Sequence, residues 1–468
     1  MVAEPVAVGI DLGTSGVKLV AVTPDGRIAG RSARAYPTHR PTPDAAEQDV
    51  TDWLSALDLA AAELAVDVEP TRWSAFALSA MLPTLVGLDA SVRPVGAAIT
   101  WEDARAEADA DRLLTGIDTN QLYRQTGQRV DGRYLLPMAA RLARLGQSVD
   151  VIAGAKDFLF HCLTGCLLTD PSTAAGFGNW LLAEQRWADL PARVAALPQV
   201  RPSDHAEPLA SAVAQRWGCR PGVPVLLGAA DSVLGAYGLG VHAPGPVAAV
   251  LGTSAVLIAE SDGPTVDAAG VAIVTPTATG GFAREIDLLT LGSAIGWLGG
   301  LFGLDAPRLM QVAAGARLEQ APLVLPYLAP GEQGIRWDPS LFGSIGGLSL
   351  RTGRAELALG LVAGLVHELS RGVDVLSPDG EILAGGSVAS NPFFRQQLAD
   401  ATGRVVRFDP DGKDSSTIGA ARFAAAHVLG GSPEPVIERD ATLPDAAARA
   451  IWQERAAEHE TELARRRS

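Results

Sequence analysis

Residues 6–22 read VAVGIDLGTSGVKLVAV, and residues 247–259 read VAAVLGTSAVLIA. In the first stretch Val6 to Ile10 reads as a buried strand, Leu12-Gly13-Thr14-Ser15-Gly16 as a tight turn, and Lys18 to Val22 as the returning strand. In the second, Val247 to Val250 and Val256 to Ala259 flank Leu251-Gly252-Thr253-Ser254 in the same way. The four letters LGTS are shared, about half the chain apart, with matching strands on both sides. That pattern implies two similar domains, each offering a hairpin turn to one ligand. Asp11 separates the copies, because Val250 stands in its place. Two readings of Asp11 stay open. It caps the turn by accepting backbone N–H bonds, as Asx residues do. Or the turn is a phosphate cradle, in which small residues let backbone N–H groups and the Thr14 hydroxyl approach a phosphate while Asp11 holds its metal. A carboxylate in only one copy fits one metal at one side of a polyphosphate.

Length and composition agree with two domains. The 468 residues are too many for one ordinary domain and fit two large ones, 1–240 and 241–468. With 47% hydrophobic and 19% charged residues, a large core is available to each. The net charge of −15 argues against nucleic acid as a partner. The basic run Arg465-Arg466-Arg467 reads as a solvated helix end. Cys162, Cys166 and Cys219 form no CxxC pair. Cys162 and Cys166 lie four apart on an expected helix, where a buried reduced pair is favoured over a metal pair, since no further His or Cys set is near. No signal peptide and no apolar run long enough to span a membrane is legible, so the expected setting is cytoplasmic with no membrane partner.

The remaining periodicity reads as strands first, then alternating helix and strand. Ile28 to Tyr36 extends the first hairpin to a three-stranded meander. Residues 49–67 read as an amphipathic helix, 74–78 and 223–227 as strands, and 104–114, 138–145 and 155–163 as helices. In the second half, helices are expected over 293–302 and 355–376, and a strand over 381–384. Gly385-Gly386-Ser387 follows, then a helix with Ser390 or Asn391 as cap, Pro392 at its first position and Gly403 as its stop. A strand over 405–408, a helix from Ser415 or Ser416 to Gly430 and a terminal helix over 444–467 complete the chain. The order predicts an α/β protein with mixed sheets covered by helices.

Eight short stretches, taken in order, resemble the FGGY carbohydrate kinases of the actin-like ATPase superfamily, xylulokinase-type members above all. They are GIDLGTSGVK (9–18), WEDAR (101–105), KDFLFHCLTG (156–165), GAADSVLGAYGLG (228–240), LGTSA (251–255), LPYLAPGE (325–332), AGGSVASNPFFRQQLAD (384–400) and STIGAA (416–421). The resemblance implies two RNase-H-like domains with ATP and a sugar meeting in the cleft between them. The first would carry the sugar and a phosphate hairpin, and the second the nucleotide. Asp231 matches the family's general base. Its place after a strand, between small residues, leaves it free to take a proton from a sugar hydroxyl; capping the helix that follows is the alternative. Ser232 matches a substrate-touching position. Asp11 would position Mg²⁺, and Thr14 and Thr253 would donate to the phosphates from opposite domains, with Gly252 beside them. Lys18 stands where relatives often carry Arg, and reads as a phosphate contact or a solvent-facing strand residue. Gly292 and Gly296 match nucleotide-lining positions, Trp297 flanks the adenine or packs in the core, and Gly386, Ser387 and Ser390 match the adenosine loop.

The sugar pocket would draw on Trp101 and Asp103, with Arg105 as a structural neighbour, and on Arg133, which could meet a carboxylate or a hydroxyl. Here the chain departs from the xylulokinase pattern. Met81-Leu82-Pro83-Thr84 stands where those enzymes carry Gln-Met-His-Gly, so Leu82 and Pro83 face the substrate without a polar side chain. The expected activity is ATP-dependent phosphorylation of a small sugar, a ketopentose first, with gluconate, a polyol or another ketose as alternatives. A non-catalytic actin- or Hsp70-like ATPase shares the hairpins but needs neither WEDAR nor GAAD. A sugar sensor that binds without turnover is the third reading, and no stretch here resembles an appended helix-turn-helix or zinc module. Dimers are common in the family, so a homodimer is admitted, although no interface is legible.

Overall fold

Both quoted stretches form antiparallel hairpins in the computed structural model, which describes residues 4–189, 195–266, 270–329, 334–338, 340–431 and 439–467. The first hairpin joins β1 (Val6–Leu12) to β2 (Gly16–Val22), and β3 (Ile28–Ala35) extends it. Two parallel strands, β4 (Trp73–Ala80) and β5 (Pro224–Ala230), lie on the other side of β1, giving the order β5-β4-β1-β2-β3 with Ala206–Pro208 antiparallel at the β5 edge. Every residue of β1 is buried, as a run of Val, Ile and Leu at the centre of a covered sheet requires.

The second sheet repeats this plan. Strands β6 (Val247–Leu251), β7 (Ala255–Ser261) and β8 (Phe282–Leu288) form the antiparallel part, and β9 (Ile382–Gly385) and β10 (Val406–Phe408) the parallel part. The order is β8-β7-β6-β9-β10, with Ile273–Pro276 and Asp440–Thr442 at the two edges. The sequence predicts all of these core strands except β8. Its FAREIDL run carries Arg284, Glu285 and Asp287, and that charge hides the strand.

Helices α1 (Val50–Asp67), α2 (Asp231–Leu239), α3 (Gly292–Phe302), α4 (Arg354–Leu376), α5 (Pro392–Thr402) and α6 (Ser415–Val428) flank the sheets. Asn391 caps α5, accepting from the Phe394 N–H at 3.2 Å. The helices expected over 104–114 and 138–145 occupy Glu107–Leu113 and Leu135–Arg144. The backbone passes from one sheet to the other between Gly240 and Val247. Helix α6, however, packs on α2 and on strands β1 and β4 of the first sheet, so a cut at residue 240 divides the strands but not the helices. Helices α2 and α6 share one hydrophobic cluster with both sheets, through Val233, Leu234, Ile418 and Phe423 with Ala7, Ala77, Ala248 and Leu383. They approach so closely that a Cβ at Gly238 would strike the Ser415 carbonyl oxygen, and one at Gly419 the Leu234 carbonyl oxygen. The three cysteines are free thiols. No helix among the described residues is long and apolar enough to cross a membrane. Pro330-Gly331-Glu332, the end of one family-like stretch, lies outside the described residues.

Candidate active site

Asp11 sits one residue before the end of β1, opposite Lys18 on β2 and Ser79 on β4. Its carboxylate does not cap the hairpin, which closes on itself through the Gly13 N–H and the Gly16 carbonyl at 3.0 Å. Instead Asp11 Oδ1 accepts from the Ser79 hydroxyl at 2.7 Å and Oδ2 from the Ser416 hydroxyl at 3.0 Å. One donor comes from each half of the chain. The Thr14 hydroxyl oxygen accepts from the Trp101 indole N–H at 3.0 Å, which leaves its own O–H free to donate outward. Gln48, a residue the sequence did not single out, holds this turn by donating to the Thr14 carbonyl at 2.7 Å.

Asp231 opens α2 directly after β5. Behind it runs a buried polar chain. The Ala230 N–H donates to Ser172 Oγ at 2.9 Å, and that hydroxyl donates to Asp170 Oδ2 at 2.5 Å. Lys156 Nζ pairs with Asp170 Oδ1 at 3.0 Å, lies 3.7 Å from Asp157, and donates to the Leu227 carbonyl of β5 at 3.1 Å. Lys156 is 2% exposed, so this chain fixes the strand end that presents Asp231. The Asp231 carboxyl is pushed up to about 8, first by burial and then by the Asp11 carboxylate, with Asp287 adding to the effect.

Of these residues Thr14, Trp101, Ser172, Ala230 and Asp231 border a cavity of about 340 Å³ between the two sheets, within the ~300–1,000 Å³ range of ligand pockets, whereas Asp11, 5% exposed, lies outside its lining. The first half contributes Thr14, Leu82, Pro83, Trp101, Gln128, Arg133, Tyr134, Asp231 and Ser232; the second contributes Gly252, Thr253, Val256, Glu285 and Asp287. Both LGTS turns therefore reach one cavity. Gln128, Glu285 and Asp287 went unread in the sequence. The signal for the two acids was present in EID, since residues two apart on a strand share a face.

The second hairpin gathers the remaining candidates outside the cavity lining. The Gly292 N–H donates to the Gly252 carbonyl at 3.0 Å, seating α3 on the turn. Gly386 has φ +101°, and a Cβ there would run into the Leu251 carbonyl oxygen, so only glycine lets this loop touch β6. Ser387 and Ser390 are exposed beside it, Ser390 Oγ donating to the Ser387 carbonyl at 2.6 Å. Gly296 and Trp297 face outward on α3; at 49% exposure Trp297 is not a core residue.

Three of the candidate residues have charged partners within the chain. Asp103 lies outside the cavity lining and is 2% exposed. Its oxygens accept from the Ala46 N–H at 2.9 Å and from Arg105, at 2.6 Å for the shortest contact, so it organises the loop rather than offering acceptors to a sugar. Lys18, 40% exposed on its strand, pairs with Asp414, just ahead of α6, at 3.1 Å, which agrees with the solvent-facing reading. Arg133 does line the cavity, but its guanidinium is already engaged by Asp131 at 2.7 to 3.2 Å.

Comparison with known proteins bears on the whole chain. The model for the FGGY family of carbohydrate kinases, N-terminal domain, matches residues 6–238, and that for the C-terminal domain matches residues 247–428. The chain is 28% identical to a xylulose kinase of Escherichia coli strain K12, over 96% of each protein. It is 24% identical to a gluconokinase of Bacillus subtilis strain 168, over 88% of this chain and 85% of the other. Its fold matches that of a ligand-bound xylulose kinase from Lactobacillus acidophilus with a TM-score of 0.89 at 21% identity, covering 97% of both chains.

Proposed function

The chain belongs to the FGGY family of carbohydrate kinases, and from that premise we propose that it transfers the γ-phosphoryl group of ATP to a hydroxyl of a small sugar or polyol, with Asp231 as general base. The observation that carries this reading is the place of Asp231. It stands at a strand end in a 340 Å³ cavity that both LGTS turns border, and its carboxyl is raised to about 8. A hydroxyl is a weak nucleophile until its proton can leave, and a carboxyl raised to about 8 is, once ionised, a stronger proton acceptor than an ordinary Asp. Thr14 and Thr253 would donate to phosphate oxygens from opposite sides. Gly292, Gly296, Trp297, Gly386, Ser387 and Ser390 surround the second hairpin, where a nucleoside would lie.

The donor set suits Mg²⁺. Each Asp11 oxygen accepts one hydroxyl and keeps lone pairs, and hard carboxylate oxygens next to phosphates are what this ion prefers. When bound, the ion neutralises phosphate charge. Asp11 would hold it, Ser79 and Ser416 would orient Asp11, and the apolar walls at Leu82 and Pro83 would exclude water from the acceptor. Relatives named as xylulose kinase and gluconokinase leave ketose and sugar-acid acceptors both in view. The test is ADP formation with Mg-ATP, with and without D-xylulose, D- and L-ribulose, gluconate, glycerol and erythritol. At least one acceptor should stimulate ADP release strongly, and Asp231→Asn should abolish that stimulation. ADP release of equal rate without any acceptor would instead point to a free-standing ATPase.

A further inference from the structure

Strand β8 brings a second set of acids to the cavity. Ala283, Glu285 and Asp287 share one face of its FAREIDL run, and Glu285 and Asp287 both line the cavity wall. Glu285 is 7% exposed, and its Oε2 accepts from the Ser232 hydroxyl at 3.2 Å, next to Asp231. Asp287 Oδ1 is buried with no hydrogen-bond donor among the described residues. An ionised carboxylate only accepts, so a buried oxygen without a donor is an unmet demand.

The cation of this wall does not offset these acids for an incoming ligand. Arg133 is held by Asp131 through its Nε and Nη2 atoms, at 2.7 Å for the shortest contact. Burial pushes the Asp287 carboxyl up to about 6, against the guanidinium charge of Arg133, which favours its ionised form. Whatever the protonation of Asp231, Glu285 and Asp287, the set formed with Arg133 and Asp131 never carries net positive charge. An entering carboxylate would lose its water against a wall in which Arg133, with only Nη1 unengaged by Asp131, is outnumbered by the carboxyl groups of Asp131, Asp231, Glu285 and Asp287. An entering hydroxyl would find the Glu285 and Asp287 carboxyls on the cavity wall as acceptors.

We propose that Glu285 and Asp287 are specificity-determining residues, which accept from the hydroxyls of an uncharged ketose or polyol and exclude sugar acids. The inference rests on the carbohydrate-kinase reading and narrows its acceptor class. Because both acids belong to the second sheet while Asp231 belongs to the first, the acceptor is read by both halves of the molecule.

Two readouts on the full-length protein test this. The first is kcat/KM for D-xylulose, D-ribulose, erythritol, glycerol and D-gluconate at saturating Mg-ATP. The second is the thermal shift each acceptor produces with a non-hydrolysable ATP analogue. In the unaltered protein the best uncharged acceptor should exceed gluconate at least a hundredfold in kcat/KM and should give the larger shift. Glu285→Gln should raise KM for that acceptor tenfold or more while leaving KM for ATP in place. Asp287→Asn should narrow the preference over gluconate at least tenfold, because it removes a cavity carboxyl that feels the Arg133 charge. Gluconate matching or exceeding the uncharged acceptors in the unaltered protein would overturn the proposal while the kinase reading stood, and that comparison needs no variant to fold. Thermal shifts from uncharged acceptors alone, without turnover, would uphold the selectivity and remove the kinase reading. Silence in both readouts for every acceptor would overturn both.

Discussion

Asp231 carries opposite consequences for activity and for stability. A base works only when ionised, so the rate should fall as pH drops through about 8, where the buried carboxyl gains its proton. Stability moves the other way. The folded carboxyl keeps a proton that the unfolded one releases near 3.8, so its contribution to stability declines as pH rises from about 4 to about 8. Asp231→Asn should therefore lose turnover by roughly 10²-fold or more, and melt higher than the parent at pH 8 but not at pH 4. A melting difference independent of pH would show that Asp231 is not buried as an acid. Lys156 gives a second prediction. Lys156→Met strands Asp157 and Asp170 without their cation, which should cost about 3–5 kcal/mol in chemical denaturation; a loss below ~1 kcal/mol would mean those carboxyls are held neutral. Turn chemistry marked Thr14 and small neighbours marked Asp231, whereas Trp101, Leu82 and Pro83 came from the family resemblance; all five line the cavity. Asp103 faces inward because the Ala46 N–H, 57 residues earlier, and Arg105 both donate to it, and Lys18 took the solvent-facing of its two readings because Asp414, far along the chain, pairs with it.

Among the elements, the two hairpins were the easiest to read, because LGTS turns between Val-rich strands fix both ends. Strand β8 was not, since its outward and inward charges break the apolar pattern. The crossing of α2 and α6 depends on glycines whose purpose is invisible until both helices are placed. Gly419→Ala should push the Leu234 carbonyl away and separate the pair. Overpacking of this kind costs roughly 1–3 kcal/mol, and because α6 also carries Ser416 to Asp11, KM for Mg-ATP should rise as well. An Ala variant with unchanged melting temperature and unchanged KM would show that the helices can part without consequence.

The whole molecule places one LGTS turn on each sheet, and the proposed sharing of one nucleotide between them calls for the cleft to shut on the ligands. An ATP analogue together with an acceptor should compact the protein in small-angle scattering more than either ligand alone; identical curves with and without saturating ligands would count against closure. The sequence by itself determined the duplicated hairpin, two domains of one plan, the family and the order of nearly every core element. Those properties rest on local periodicity and turn chemistry, which a linear string carries. Only the tertiary structure decided that α6 belongs with the first sheet, that Arg133 is already paired, and that Glu285 and Asp287 of the second sheet face Asp231 of the first. Each of these joins residues distant in sequence or oriented by packing. Their charges become significant in a shared low-dielectric cavity, where separation in space rather than separation along the chain sets the energy.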